Sequence, residues 1–481
     1  MNIVENIRQE TQPFADKTAI VEGDRAVTYR ELMAQVAALR HVLAARGVGL
    51  GQRIAFRCRD GIDYIIGALS VLECGAAVVP LADSLTDSEI GDTVQRIDVH
   101  GILLHANMPR SPDDRAAEKL SGAFLWQPRR AGLEYDQRCR DLEAAFIRFS
   151  SGTTGASKGV LLSHRSILER TDAANEGLAI TDQDVILWVL GMSHHFVVSI
   201  LLFLRKAATI IIGNNNFPFS VIEAAGRFPI TFIYGSPVHY YLLATADSIS
   251  PEALANVRLA ISTAMKMPTE ICAKFSSKFG LAPREAYGII EIGLPFINTD
   301  PGSVGQNTVG RILSAYQLRI DNPDANGAGD VLVKGQGMFD AYFSPWRLRS
   351  ECLTDGWFHT GDLGRVDAQG RLYLLGRTKT VIVCAGMKVF PEEVEEVINS
   401  MPGIRDSLVS GRAHPQYGQV PVAQVVLAGG VGDPTALFSE LRGHCCRKLS
   451  SFMVPAVFTA VSDLPRTPSG KLARAETRQT P

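Results

Sequence analysis

The feature that most constrains the fold of this chain is an alternation between short apolar runs of strand character and segments of helical period. The run "RIAFRC" (53–58) is followed by "DYIIGALSVLECG" (63–75) and then by "AAVVPL" (76–81). Later, "ITFIYG" (230–235) is followed by the helical pattern "PVHYYLLATA" (237–246). Strands that alternate with helices are typical of domains in which helices cover a mostly parallel sheet. The sequence therefore predicts a large α/β domain.

The pattern changes after about residue 330. Segments of strand character such as "DVLVKG" (330–335) are followed by a shorter unit with both strand and helix patterns. This unit contains the amphipathic segment "PEEVEEVINSM" (391–401). The 481 residues also exceed what one hydrophobic core usually serves. We therefore predict an N-terminal core over 1–376 and a small α+β domain over 377–481, with the boundary at "GRTKT" (376–380).

Charge and composition exclude several classes of function. The 48 Lys and Arg residues nearly balance the 50 Asp and Glu residues, so the chain lacks the overall excess of positive charge that is typical of nucleic-acid binding. The eight cysteines are scattered without a C-x-x-C pair, which is typical of reduced thiols in a cytosolic protein. No secretion signal is evident, and the most apolar stretch (196–213) is interrupted by Arg205 and Lys206. We expect a cytoplasmic protein with no nucleic-acid partner and no membrane span; its oligomeric state is not predicted.

The run "SSGTTGASKG" (150–159) gives the first indication of function. Such a run is often a flexible linker, but its glycines also allow backbone N–H groups to approach an anion, to which Lys158 adds positive charge. The loop lies between the apolar runs "AFIRF" (145–149) and "VLL" (160–162), and Ser163 predicts the N-cap of the next helix. The loop therefore joins strand to strand. A Walker P-loop leads straight into a helix with different spacing, so that motif does not fit.

This loop resembles the phosphate loop of the adenylate-forming enzymes, the superfamily of acyl- and aryl-CoA ligases, peptide-synthetase adenylation domains and firefly luciferase. Further segments resemble motifs of the same family in the same order, and together they cover nearly the whole chain: "EAYGIIEIG" (285–293), "WFHTGDLG" (357–364), "GRTKTVIVCAGMKVFPEEVEEVI" (376–398) and "PRTPSGKLAR" (465–474). The resemblance implies a large α/β N-terminal domain of several subdomains and a small, mobile α+β C-terminal domain.

The resemblance also implies an ATP site. The residues that would hold the β- and γ-phosphates are Ser150, Ser151, Gly152, Thr153, Thr154, Gly155 and Lys158. Tyr287 would lie against the adenine, and Glu291 would help to bind Mg²⁺. Asp362 would accept hydrogen bonds from both ribose hydroxyls, and Arg377 would hold the ribose from the hinge side. Ile290 departs from the family, which usually has a threonine whose hydroxyl reaches the α-phosphate.

The same resemblance implies two chemical steps. Lys471 would bind the carboxylate and α-phosphate oxygens in the transition state that forms acyl-AMP and pyrophosphate. Lys379 stands at the hinge position and would absorb the backbone change that moves the small domain, after which Gly386 would line the pantetheine channel. The expected acceptor of the acyl group is the thiol of CoA. The phosphopantetheine of an acyl carrier protein is an alternative, as is a nucleotide-binding relative without thioester activity.

The acid pocket is indicated by "LGMSHHFVVSILLFL" (190–204), which resembles the family segment that closes the acyl site. His194 stands at the position of the aromatic wall, whereas His195 is compatible with a packed core histidine. Gly288 and the run "STAMKM" (262–267), in place of the commoner S-G-G-A-P-L, would complete the wall. No basic residue for a second charge is evident in these segments apart from Lys266, an alternative contact for a polar substituent. A small-molecule fatty or aryl acid is therefore the expected substrate.

Overall fold

The computed structural model describes two compact units. Its described residues are those outside 110–116, 130, 133–134, 150–157, 214–215, 304, 306, 385–386, 430–433, 467–471 and 475–481. The first unit takes in the described residues up to Phe149, then 158–317 and 334–356, and the second takes in 318–333 and 357–481. A large N-terminal and a small C-terminal domain of mixed α/β structure confirm the predicted fold class. The domain boundary between 376 and 377 stays a prediction. It concerns a hinge, whereas the two units described here are defined by which residues pack together.

The helices are regular except around residues 196–200, where a π-helical turn, Phe196–Ile200, joins two short α-helices into one continuous helix. Their bounds are α1 Ile3–Thr11, α2 Tyr29–Ala45, α3 Ile62–Glu73, α4 Asp87–Ile97, α5 Asp136–Asp141, α6 His164–Leu178, α7 Met192–His195, α8 Leu201–Arg205, α9 Ser220–Arg227, α10 Pro237–Thr245, α11 Thr269–Phe279, α12 Pro391–Asn399 and α13 Pro434–Lys448.

The strands are mostly short, as expected for sheets that alternate with helices. Their bounds are β1 Thr18–Glu22, β2 Arg25–Thr28, β3 Arg53–Arg57, β4 Ala77–Pro80, β5 Gly101–His105, β6 Glu118–Ser121, β7 Phe124–Pro128, β8 Ala144–Phe149, β9 Gly159–Ser163, β10 Val185–Trp188, β11 Thr209–Ile212, β12 Phe232–Gly235, β13 Leu259–Ser262, β14 Arg284–Ile289, β15 Gly293–Ile297, β16 Tyr316–Asp321, β17 Gly329–Gly335, β18 Ala341–Phe343, β19 Arg347–Leu348, β20 Phe358–Val366, β21 Leu372–Arg377, β22 Ile382–Cys384, β23 Met387–Val389, β24 Ile404–His414, β25 Gly418–Leu427 and β26 Phe458–Ala460.

Two large sheets organise the first unit. One has the strand order β15-β14-β13-β12-β10-β11-β1-β2, and the other has the order β19-β18-β9-β8-β4-β3-β5-β7-β6. The central strands of each sheet run parallel, and antiparallel strands stand at the edges. Parallel strands are buried on both faces, which explains why their sequences read as continuous apolar runs rather than alternating ones.

Helix α3 lies between these two sheets. It contacts β1 of one sheet and both β3 and β4 of the other. Most of its residues are buried, from Ile62 through Leu72. A helix that is apolar on all sides is buried on all sides, and "DYIIGALSVLEC" is such a sequence. The helix thus packs against strands of both sheets.

The predicted setting of the glycine-rich run is confirmed at both ends. Strands β8 and β9 form an antiparallel pair in which Phe149 stands opposite Gly159, so the run joins strand to strand. Ser163 caps α6, since its hydroxyl oxygen accepts a hydrogen bond from the backbone N–H of Ser166 at 3.0 Å. The N-cap could be predicted from the sequence because the capping hydrogen bond joins residues within one helical turn.

The second unit contains the sheets β16-β17-β20-β21 and β23-β22-β25-β24, with β26 alongside β25. Helix α12 packs against β24 and α13. Its buried face contributes Val394 and Ile398 to a core that includes Val425 and Leu441. The amphipathic pattern of 391–401 therefore predicted this helix and its buried face correctly.

Two further expectations concern the cysteines and membrane-spanning helices. All eight cysteines are free, including the neighbouring Cys445 and Cys446. Within the described residues, no helix combines the length and the apolar character needed to cross a membrane.

Candidate active site

Glu291 lies in the tight turn Ile290–Ile292, which connects β14 to β15. Two donors from outside this hairpin hold the turn. The backbone N–H of Phe339 donates to the Glu291 carbonyl at 2.7 Å, and Nη1 of the fully buried Arg170 donates to the Ile290 carbonyl at 3.0 Å. The backbone that carries the Glu291 carboxylate is therefore fixed from two directions.

Tyr342 of β18 connects Glu291 to Lys158. Its hydroxyl donates to Glu291 Oε1 at 3.2 Å, and the Lys158 ammonium lies 4.8 Å from the centroid of its ring. Burial, together with the neighbouring Glu291 charge, raises the pKa of Tyr342 well above its usual range, so the phenol stays protonated and remains a donor. The Lys158 cation, the Tyr342 ring and the Glu291 carboxylate thus form a series of contacts in space beside the end of the glycine-rich run.

Tyr342 was missed by the sequence reasoning. The surrounding segment, "FDAYFSPW" (339–346), is typical of a short apolar strand. An aromatic residue in such a strand normally packs in the core. Only the pairing of β18 with β9 places Tyr342 opposite Val160, two residues beyond Lys158. That pairing spans more than 180 residues, a distance over which local patterns carry no signal.

Tyr287 and Gly288 lie in β14. The Tyr287 ring is buried, with its centroid 5.8 Å from that of Phe296 on β15. A Cβ atom at Gly288 would lie 2.0 Å from the Gly293 carbonyl oxygen, so only glycine permits this close approach of the two strands. The roles of Tyr287 beside adenine and Gly288 in the acid pocket stay predictions.

A basic residue lies beside the segment expected to close the acid pocket. The Arg148 guanidinium, near the carboxyl end of β8, donates through Nη1 to the carbonyl of His194 in α7. Burial lowers the pKa of Arg148, and the nearby Glu291 carboxylate opposes that shift. Arg148 lies on β8, outside the pocket segments in which Lys266 was the basic residue noted, and it adds a second basic group beside them. Arg148 was overlooked because it sits in the alternating strand "AFIRF" rather than in the pocket segments.

The two neighbouring histidines differ in environment. His194 is exposed, whereas His195 is half-buried with its ring edge-on to the fully buried Trp188, at a centroid distance of 6.5 Å. Trp188 in turn stacks on Tyr234 at 5.9 Å. His195 therefore packs against an aromatic cluster, as the alternative for that residue predicted. The role of His194 as pocket wall stays a prediction.

The run "STAMKM" contains a backbone conformation that its sequence does not favour. Ala264 has φ +73°, in the left-handed region that glycine occupies readily, and it stands where the resembled motif has glycine. The following Met267 N–H donates to Glu285 Oε1 at 2.9 Å, and Lys266 is exposed. The loop therefore keeps a glycine-type turn with an alanine in it.

Asp362 and Arg377, of the second unit, form an ion pair. They stand opposite one another on β20 and β21, and Arg377 Nε lies 3.0 Å from Asp362 Oδ1. Asp362 is 7% exposed and its N–H donates to Thr360 Oγ1 at 3.1 Å, whereas the Arg377 side chain is 46% exposed. A fixed carboxylate beside a more accessible guanidinium suits the recognition of vicinal hydroxyls.

Lys379 lies in the turn directly after β21. The turn is closed by hydrogen bonds from the Thr380 and Val381 N–H groups to the Arg377 carbonyl, at 3.0 and 3.2 Å. Thr378 ties the turn to β17, because its hydroxyl donates to Asp330 Oδ1 at 2.9 Å. Lys379 itself is exposed, and its role as a hinge stays a prediction.

The predicted site residues are thus divided between the two units. Lys158, His194, Tyr287, Gly288 and Glu291 belong to the first unit, and Asp362, Arg377 and Lys379 belong to the second. The predicted residues that lie outside the described part of the chain are Ser150, Ser151, Gly152, Thr153, Thr154, Gly155, Gly386 and Lys471.

The donor set fits a magnesium ion that is shared with a nucleotide. Within the described residues, no group of three or more His, Cys, Asp or Glu side chains could hold a metal unaided. Mg²⁺ is usually held by one or two protein carboxylates, and it takes its other ligands from phosphate oxygens and water. Glu291, whose Oε1 is oriented by Tyr342, matches that pattern.

Comparison with known protein families gives two matches. The model of the family described as "AMP-binding enzyme" matches residues 7–343, and that of the "AMP-binding enzyme C-terminal domain" matches residues 393–471. Between them they include the hairpin of Glu291, the strand of Tyr342 and helix α12 from residue 393 onward.

Curated relatives and solved structures agree with these matches. The chain is 29% identical to 3-[(3aS,4S,7aS)-7a-methyl-1,5-dioxo-octahydro-1H-inden-4-yl]propanoyl:CoA ligase of Mycobacterium tuberculosis, over 96% of each chain. It is 27% identical to feruloyl-CoA synthase of an Amycolatopsis species, over 98% of this chain and 97% of that one. The crystal structure of ATP-bound MatB from Rhodopseudomonas palustris is similar, with a TM-score of 0.83 and 25% identity over 98% of this chain and 97% of that chain.

Proposed function

The chain belongs to the AMP-binding enzyme family of the adenylate-forming superfamily, and from this premise we propose that it is an ATP-dependent acid:thiol ligase. It activates a carboxylic acid as acyl-AMP and transfers the acyl group to the thiol of CoA. The observation that carries the proposal is the Lys158, Tyr342 and Glu291 arrangement beside the glycine-rich run, in a chain whose named relatives are CoA ligases.

The chemistry explains why two steps are needed. A carboxylate is a poor electrophile, because attack on it adds charge to an anion and must expel oxide. In the first step a carboxylate oxygen bonds to the α-phosphorus of ATP while the bond to the bridging oxygen breaks, and pyrophosphate leaves. In the second step the thiol sulfur bonds to the acyl carbon, the bond to AMP breaks, and the thiol proton passes to solvent. The protein contributes mainly positioning and charge neutralisation.

Each residue has a distinct task in this proposal. Lys158 and the glycine-rich run bind the terminal phosphates, and Tyr342 holds the Glu291 carboxylate in place to ligate magnesium. When bound, Mg²⁺ offsets the charge of the phosphate oxygens. Asp362 accepts hydrogen bonds from the ribose hydroxyls, with Arg377 alongside. Lys471 supplies a positive charge that stabilises the transition state of the first step.

The acid is proposed to be a fatty or aryl acid. His194 would form one wall of the acid pocket, and its neighbour His195 packs against Trp188. The two relatives named above are CoA ligases of acids with ring systems, which supports a bulky acid and a CoA acceptor. Arg148, which contacts the carbonyl of His194, extends the acceptable substrates to acids with a polar or anionic substituent.

The proposal is tested by replacing the lysine on which acid activation depends. Lys471→Ala is expected to abolish acid-dependent exchange between ATP and pyrophosphate, and hydroxylamine trapping of acyl-AMP should fail in parallel. Lys448→Ala is the matched control, because Lys448 lies in the same unit, where it donates to Ser400 Oγ at 3.3 Å. Near wild-type exchange in Lys471→Ala would contradict the proposed function.

A further inference from the structure

We propose that Arg474 is a positioning residue for the acid-activation step, because its ion pair with Glu395 anchors the chain directly beside Lys471. The inference rests on the proposed function, in which Lys471 acts in the first step. Arg474 itself contacts neither substrate nor nucleotide in this proposal. Its effect passes through the backbone, three residues along the chain from the lysine.

The ion pair is bidentate and buried. Arg474 donates to Glu395 through Nη1 at 2.7 Å and through Nη2 at 2.6 Å. The Glu395 carboxylate, on helix α12, also accepts the N–H of Val409 on strand β24 at 2.7 Å, so Arg474 and Val409 share this acceptor. The Glu395 and Arg474 side chains are 8% and 15% exposed. Two parallel hydrogen bonds fix the direction of the guanidinium as well as its distance.

A second carboxylate reinforces the site. Glu392, one turn before Glu395 on α12, places Oε1 3.5 Å from Arg474 Nε. The planar guanidinium therefore meets carboxylates along two edges. A lysine at this position would offer one compact charge instead of this fork. The arrangement thus requires the geometry of arginine as well as its charge.

The chain is also anchored before residue 471. Leu472 forms an antiparallel bridge with Arg466, and the Ala473 N–H donates to the Pro465 carbonyl at 2.8 Å. Arg466 pairs with Asp406 of β24. The side chain of Leu472 packs against Leu408, Val426 and Leu464. Arg466 and Leu472, which flank 467–471 in the sequence, are therefore held together, and Arg474 is the charged anchor on the C-terminal side.

The chemistry of Lys471 makes such an anchor consequential. Stabilisation of a developing charge depends on distance, and displacement of a catalytic group by about 1 Å can cost roughly 100-fold in rate. A lysine side chain has four rotatable bonds, so its supporting backbone must limit where the ammonium can reach. Loosening the Arg474 anchor should thus slow the step that uses Lys471 and spare the step that does not.

The test compares the two half-reactions in Arg474→Lys and Glu395→Gln. Acid-dependent ATP–pyrophosphate exchange is expected to fall at least tenfold, whereas transfer from synthetic acyl-AMP to CoA should stay within twofold of wild type. Arg371→Lys is the matched control, because Arg371 is also 15% exposed in the second unit and pairs with Asp367 at 2.7 Å. This control should leave both half-reactions unchanged.

The outcomes separate the two claims. Loss of exchange in Lys471→Ala but not in folded Arg474→Lys and Glu395→Gln would overturn the positioning role alone. Equal losses in both half-reactions would also overturn it, since they indicate general damage to the fold. Should Arg474→Lys fail to fold, Glu395→Gln decides the question, because it keeps an oxygen acceptor for the Val409 N–H. Retained exchange in Lys471→Ala would overturn the proposed function and the positioning role together.

Discussion

The Tyr342 hydroxyl donates a hydrogen bond to the Glu291 carboxylate over 3.2 Å, although the two residues are 51 positions apart. The same phenol ring lies 4.8 Å from the Lys158 ammonium. One buried aromatic side chain therefore links the end of the glycine-rich run to the carboxylate proposed to bind magnesium.

Tyr342→Phe should weaken the use of MgATP. The change removes the donor to Glu291 while keeping the ring beside Lys158. A hydrogen bond to a charged group contributes roughly 1.5–3 kcal/mol, so kcat/KM for MgATP should fall about tenfold or more. Steady-state exchange kinetics measure this. Tyr373→Phe is the matched control, since Tyr373 also donates to a carboxylate, Asp367 Oδ2, at 3.3 Å. An unchanged MgATP dependence in Tyr342→Phe would contradict the proposed role.

Asp362→Asn should impair ATP use through the ribose. The amide loses the charge that pairs with Arg377 and offers only one acceptor oxygen to the two hydroxyls. The expected loss in kcat/KM is at least tenfold with ATP. With 2′-deoxy-ATP the variant and wild type should differ less, because one of the hydroxyls is absent. Equal losses with both nucleotides would contradict recognition of the 2′-hydroxyl by Asp362.

Ala264→Gly should stabilise the first unit. Ala264 has φ +73°, a conformation that costs an L-residue roughly 1–2 kcal/mol and costs glycine little, although glycine loses more entropy on folding. The net expectation is a gain of about 1 kcal/mol, seen as a higher urea midpoint. Ala244→Gly within α10 is the control and should lower the midpoint. A lower midpoint for Ala264→Gly would contradict the strained turn.

Acid should destabilise the first unit through His164. Burial lowers the pKa of this histidine to about 4, and its Nδ1 accepts the Ile3 N–H at 3.3 Å, which requires a neutral ring. Because the folded pKa lies below the unfolded value of about 6.5, its stability contribution is complete above pH 6.5 and is lost as pH falls towards 4. The loss amounts to about 3 kcal/mol.

Urea unfolding of His164→Gln across this pH range measures that contribution. The variant should show a smaller loss of stability between pH 7 and pH 4.5 than wild type. His41→Gln serves as the control, because His41 is exposed and its replacement should leave the pH dependence unchanged. Identical pH dependence in His164→Gln and wild type would show that His164 is not responsible.

Local chemistry made much of the fold predictable. The Ser163 cap and the amphipathic α12 depend on residues within one or two turns, and the predicted features were found. The helical pattern of 63–75 likewise corresponds to α3, Ile62–Glu73. The resemblance of the ordered motifs then identified the superfamily, which the matches over 7–343 and 393–471 confirm.

The parts that could not be predicted are those set by long-range pairing. Tyr342 reaches Glu291 only because β18 pairs with β9, and Arg148 reaches His194 only because β8 ends beside α7. Arg474 similarly reaches Glu395 across 79 residues. Each of these polar side chains looks ordinary in its own segment. Their importance depends on the partner that the tertiary fold supplies.

The most direct test of the proposed ligase activity offers the protein ATP, Mg²⁺ and CoA with a panel of fatty and aryl acids. AMP, pyrophosphate and acyl thioester are then measured by mass spectrometry in the same reactions, with a holo-carrier protein replacing CoA in a parallel set. The proposed function predicts that at least one acid yields AMP, pyrophosphate and acyl-CoA in equal amounts. ATP binding without acid-dependent pyrophosphate release for any acid, or thioester formed on the carrier alone, would contradict it.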